Sequence, residues 1–182
     1  GTWHHVLATC SISRPPPQLP DDFEAMLREG IAREAAEAGT GFRFTNGKDA
    51  TDVCIPQYRE AFSVYMPRGG ALFFGRCRWG DEDLKQLAAA LAFVRRAGET
   101  CQAKTLDLAF SGLSPAAEPV LLELVGAGTL RLLRRIDVGH NPQLGQATAL
   151  KALCEERGIE WDVGVRVLTA RGARTQEALA VR

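Results

Sequence analysis

The stretch LDLAFSGL at positions 106–113 is answered further along the chain by IDVGHNPQL at 136–144. Both begin apolar–Asp–apolar, run through a short polar or glycine-bearing turn, and close on leucine. Leu106 and Leu108, like Ile136 and Val138, alternate with a period of two, the mark of a strand that buries one face. LFFGRCRW at 72–79 spaces its apolar residues in the same way, and IEWDV at 159–163 reads as a shortened fourth copy. Recurrence at about 30 residues is the signature of stacked units, because one such unit cannot bury its apolar face alone.

A helix is predicted between successive copies. Asp81 to Arg96 carries Leu84, Leu87, Ala88, Leu91 and Val94 on one stripe, with Gly98 behind it. Ser114 and Pro115, a cap and a first-turn proline, open a second helix that stops at Gly126. A third runs from about Gln146 to Arg157, ahead of Gly158. Strand, turn, helix and return, repeated, specify an α/β protein with parallel strands.

In such a stack Leu72/Phe74, Leu106/Leu108 and Ile136/Val138 face inward. Asn141 and Cys77 stand where a side chain can bond the turn backbone, which would otherwise be buried unsatisfied. The residues between the inward positions face out. One predicted row reads Phe73, Asp107, Asp137, Glu160, and a second reads Arg76, Phe110, His140, Val163. Carboxylates on adjacent strands repel and raise each other's pKa, a tension that a cationic partner relieves. Phe73 and Phe110 would be apolar anchors in the same strip.

The pattern LxLxx(Asn/Cys)xL followed by a helix resembles the leucine-rich repeat of the ribonuclease-inhibitor-like class over about 72–163. Ser111 departs from it, standing where the family has Asn or Cys, and the intervals are irregular. The resemblance implies a short solenoid with parallel strands on the concave face and helices on the convex face. It implies a protein–protein interaction module without catalysis, an accessory or scaffold subunit of a larger complex, organellar assemblies included. The alternative is a regulator of an enzyme, since intracellular members of the family include activators of small GTPases. The expected partner-binding residues are Phe73, Arg76, Asp107, Phe110, Asp137, His140 and Glu160.

Outward from the repeats, SRPPPQLP at 13–20 favours polyproline II and makes 1–20 a Pro-rich arm. Segment 21–70 reads as an N-terminal helical cap: Asp21 or Asp22 caps a helix bearing Phe23, Met26, Leu27 and Ile31, Asn46-Gly47 is a turn, and Tyr58, Phe62 and Tyr65 mark a second helix after Pro56. The repeats occupy 71–163. A C-terminal strand and tail, 164–182, include Val165, Val167 and Leu168, with Arg166, Arg171, Arg174 and Arg182 against Glu177 alone.

The chain has 182 residues, 46% of them hydrophobic, with 22 basic and 22 acidic side chains. Composition of this kind excludes wholesale disorder, and zero net charge disfavours general nucleic-acid binding. Cys10, Cys54, Cys77, Cys101 and Cys154 are odd in number, widely spaced and without a CxxC, so reduced thiols in an intracellular setting are expected. No apolar run approaches the roughly 20 residues of a bilayer span, which leaves a soluble protein or peripheral contact with a membrane complex, in cytoplasm or an organelle. No cofactor, metal site or catalytic residue is assigned. His4, His5 and Cys10 lack a fourth ligand, and His140 near Asp137 lacks a nucleophile.

Overall fold

The structure, a computed structural model, describes residues 15–164 apart from positions 45 and 47. Expectations for His4, His5, Cys10, the start of the Pro-rich arm, Gly47, Val165, Val167, Leu168 and the tail arginines lie outside the described residues. In chain order the elements are α1 (Pro20–Ala36), a π-helical turn (Asp49–Cys54), α2 (Ile55–Arg68), β1 (Ala71–Phe73), α3 (Asp81–Arg96), β2 (Thr105–Asp107), α4 (Ala117–Gly126), β3 (Arg135–Asp137), a 3-10 turn (Leu144–Gln146), α5 (Thr148–Glu156) and β4 (Glu160–Asp162).

The strands form one open four-stranded sheet in the order β1-β2-β3-β4, every pair parallel. Leu72, Leu106, Ile136 and Trp161 stand opposite one another across it. The expected parallel pairing of 106–113 with 136–144 is therefore present. The last strand differs by two residues: Trp161, not Ile159, lies opposite Ile136.

A single apolar core runs from Phe62 and Met66 on α2, through Leu84, Leu91, Leu106, Leu121 and Ile136, to Ile159 ahead of β4. Helices pack on their neighbours in chain order, α1 on α2 and so on to α5, which also touches β4. The central residue of β1, β2 and β3 enters this core, while the residues flanking it stay half-buried or exposed. α3 has the boundaries expected from its stripe.

Two helix starts differ from those expected. α1 begins at Pro20, with Leu19 at the cap position and no side-chain bond there, so neither Asp21 nor Asp22 caps it. Pro20 suits that place because its missing N–H would be unpaired anyway. α4 begins at Ala117, two residues after Pro115, while the Ser114 Oγ accepts from the Ala116 N–H at 3.1 Å in the turn that leads into it. The acidic residue in one helix's first region serves the next unit instead. Asp81 accepts from the N–H and Oγ–H of Ser114 at 2.9 and 2.5 Å, and Glu118 accepts from the N–H groups of Ala149 and Leu150, both at 3.1 Å. Gly126, the expected stop of α4, is its last residue; Gly128 takes the left-handed turn that follows, at φ 72°, as Gly98 and Gly158 do after α3 and α5.

Ahead of the sheet, Tyr58 on α2 ties down the end of the Pro-rich segment. Its hydroxyl donates to the Gln18 carbonyl at 2.9 Å and accepts from the Gln18 N–H at 3.0 Å. Its ring stacks on Phe23 of α1 at 3.9 Å, and Phe62 meets Phe93 of α3 edge-on at 5.8 Å.

Candidate functional site

β2, β3 and β4 each end in an aspartate that opens a turn, and these three turns are built alike. Asp107 Oδ1 accepts from the N–H of Ala109 at 2.9 Å, Asp137 Oδ1 from Gly139 at 2.9 Å, and Asp162 Oδ1 from Gly164 at 2.8 Å. An aspartate bonding the N–H two residues on closes a local turn and carries the chain off the sheet. In β1 the equivalent position is Phe73, 59% exposed, and the chain beside it is Gly75. A Cβ on Gly75 would come within 2.6 Å of Asp107 Oδ1, so a larger residue there would have to displace that carboxylate.

The register places Phe73, Asp107, Asp137 and Asp162 in one row. Glu160 is thereby corrected out of it: it stands opposite Arg135, is exposed, and belongs to the pair before. The sequence held a signal for this, since Asp137-Val138-Gly139 recurs as Asp162-Val163-Gly164. Val163 likewise leaves the second row. It follows the row aspartate directly, as Leu108 and Val138 do.

The second row otherwise assembles as expected. The rings of Phe110 and His140 stack at 3.7 Å and 16°, and the Arg76 guanidinium lies 4.9 Å from the centre of the Phe110 ring. Arg76, Phe110 and His140 all hold the left-handed backbone conformation, with φ of 63°, 54° and 60° respectively. For residues with a Cβ that conformation costs about 1 kcal/mol or more each; Arg78, at φ 57°, is the other described non-glycine residue that holds it. Beneath the stack, Asn141 is buried and fully used. Its Nδ2 donates to the carbonyls of Leu108 at 2.9 Å, Val138 at 3.0 Å and Gly139 at 3.4 Å, and its Oδ1 accepts from Leu113 N–H at 3.2 Å. Ser111, one unit earlier, buries an Oγ that has no hydrogen-bond partner.

Arg135 is the residue of this face that reading the repeats left out. It lies two positions before Asp137, so strand alternation alone puts it on the same side. Its guanidinium reaches Asp162 at 2.6 Å and Asp137 at 3.6 Å. No ion pair to Asp107 forms among the described residues. Arg135, Asp137, Asp162, Phe110 and His140, with Ala109, Gly139 and Gly164, line a shallow depression of about 230 Å³.

Burial pushes the Asp107 carboxyl above its ordinary value; the bond from Ala109 opposes this, Asp137 adds to it, and Arg135 and Arg76 oppose it from a distance. A carboxyl whose pKa is higher folded than unfolded loses stability on ionising. That penalty is absent at pH below the unfolded value and complete once pH has risen through the folded one. Asp107→Asn keeps an Oδ1 acceptor for Ala109 and removes the charge. Its melting temperature should exceed that of the parent at pH 7, with the gain shrinking as pH falls to about 3. A gain independent of pH would mean that charge is not its source.

Elsewhere, burial raises the thiol pKa of Cys101 and Cys154, so neither is a ready thiolate. Among the described residues no group of three or more His, Cys, Asp and Glu side chains is placed to hold a metal ion, and no helix is long and apolar enough to cross a membrane. Comparison with protein-family models, with curated proteins and with solved structures finds no match to this chain.

Proposed function

We propose that the chain is a short leucine-rich-repeat solenoid acting as a protein–protein interaction module, an accessory or scaffold subunit without chemistry of its own. What carries this reading is the sheet face: Asp107, Asp137 and Asp162 in register, beside the Arg76–Phe110–His140 stack. Turns repeated from unit to unit, and helices that follow one another along the sheet, support the solenoid. Phe110, 43% exposed and held in a strained backbone, is costly for folding alone. Aromatic residues kept on a surface beside charged ones are typical anchors of protein interfaces.

The test is site-specific crosslinking in cells of the native source. Phe110→benzoylphenylalanine should yield a discrete adduct heavier than the chain. The same replacement at Leu132, an exposed residue between α4 and β3, should not. Adducts from Leu132 alone, or from neither site, would remove the sheet face as the docking surface.

A further inference from the structure

The interaction reading leaves the chemistry of the partner open, and the face itself constrains it. Three row carboxylates, Asp107, Asp137 and Asp162, face two guanidinium groups: Arg135, which pairs with Asp162 at 2.6 Å and Asp137 at 3.6 Å, and Arg76, which lies over Phe110 and makes no ion pair with them among the described residues. The turn bonds use one oxygen each of Asp107 and Asp137 and leave the other without a bond to the backbone among the described residues. With Arg76 and Arg135 counted against the three carboxylates, the face keeps acceptor capacity and one uncompensated negative charge, which makes it charge-complementary to a single cation.

Shape narrows the cation. Ala109, Gly139 and Gly164 line the depression with nothing larger than a methyl; Gly139 and Gly164 lie against each other, so the open volume is that bordered by Asp137, Asp162 and the two rings. The wall is a pair of stacked planar rings, Phe110 and His140. At one end of that stack the protein already seats a guanidinium of its own, Arg76, over Phe110. A planar guanidinium stacks on rings and donates to carboxylates in a fixed fork, whereas an ammonium is a compact, strongly hydrated charge.

We propose that the depression receives an arginine side chain carried by an extended segment of a partner protein, its guanidinium on the Asp137 carboxylate and its methylenes along the Phe110–His140 wall. This rests on the interaction-module reading above. The neighbouring carboxylate, Asp107, takes a second donor of the same segment.

The experiment uses the full chain and three fluorescein-labelled peptides in which threonine alternates with arginine, with lysine or with glutamate. Binding is read by anisotropy, and the location by amide shifts in NMR spectra. The arginine peptide should bind, more weakly as salt is raised, and should shift the amides of Phe110, Gly139 and His140. The lysine peptide should bind several-fold less tightly, and the glutamate peptide not at all. Asp137→Asn retains the acceptor for Gly139, and so the turn, yet should weaken the arginine peptide about tenfold at an unchanged melting temperature. Phe110→Ala should weaken it by a similar factor.

Equal binding of the arginine and lysine peptides, or binding of the glutamate peptide to the same amides, would overturn the arginine assignment while leaving the face a docking surface. So would tighter binding of the arginine peptide after Arg166, Arg171, Arg174 and Arg182 are all changed to Gln, since the occupant would then be this chain's own basic terminus. If no peptide moves these amides although Phe110 crosslinks in cells, the partner is not recognised through arginine. If crosslinking fails as well, the interaction reading falls with it.

Discussion

Asn141→Ala is expected to lower the free energy of unfolding by about 3 kcal/mol, a fall in melting temperature of about 10 °C for a chain of this size. The side chain is 2% exposed and serves three carbonyls and one amide of two successive turns. Truncation leaves those groups buried, where water does not replace what is lost, and each unsatisfied group costs about 1–3 kcal/mol before the site relaxes. Ser111→Ala is the internal comparison. Its hydroxyl is buried with no partner, so removing it should be neutral or stabilising by up to about 1 kcal/mol. Urea denaturation of both variants checks the pair. Equal losses would mean that hydrogen bonding is not what the turn position supplies.

The second large effect belongs to Leu106→Ala, expected to cost about 3–4 kcal/mol. Leu106 is fully buried at the centre of β2, with Leu72 on one side and Ile136 on the other. Neighbouring strands hold both flanks at about 4.8 Å, so little can move in to fill the cavity. Leu106→Met, which nearly conserves volume, should cost less than about 1.5 kcal/mol. Chemical denaturation with an unchanged m-value would attribute the loss to packing. A loss below about 1 kcal/mol for the alanine variant would mean that the repeats do not share a rigid core.

Much of this molecule is written locally. Leu106 and Ile136 reveal themselves through period-two alternation, Asp81–Arg96 through its apolar stripe, and Asn141 through its place in the turn. The fourth strand shows where such reading stops. Ile159, Trp161 and Val163 are all apolar and two apart, and a slide of two residues returns every side chain to the face it came from. Alternation therefore cannot choose between starting at Ile159 and starting at Trp161. The choice is made by bonds between strands, the Val138 N–H to the Asp162 carbonyl and the Glu160 N–H to the Arg134 carbonyl, both 2.8 Å.

The same division runs through the candidate site. Asp107, Phe110, Asp137 and His140 could be placed on the open face one unit at a time, because outward direction is a property of the strand that bears them. The left-handed backbone at Arg76 and Phe110 left no such mark, since composition signals that conformation chiefly through glycine, asparagine, aspartate and histidine. Nor did the reach of Arg135 to Asp162, or of Glu118 to Ala149 and Leu150, which join residues about 30 positions apart. Periodicity and turn chemistry are short-range and so survive in the linear chain. Which carboxylate meets which cation depends on how units stack sideways, and that is decided only when strands about 4.8 Å apart settle into one register.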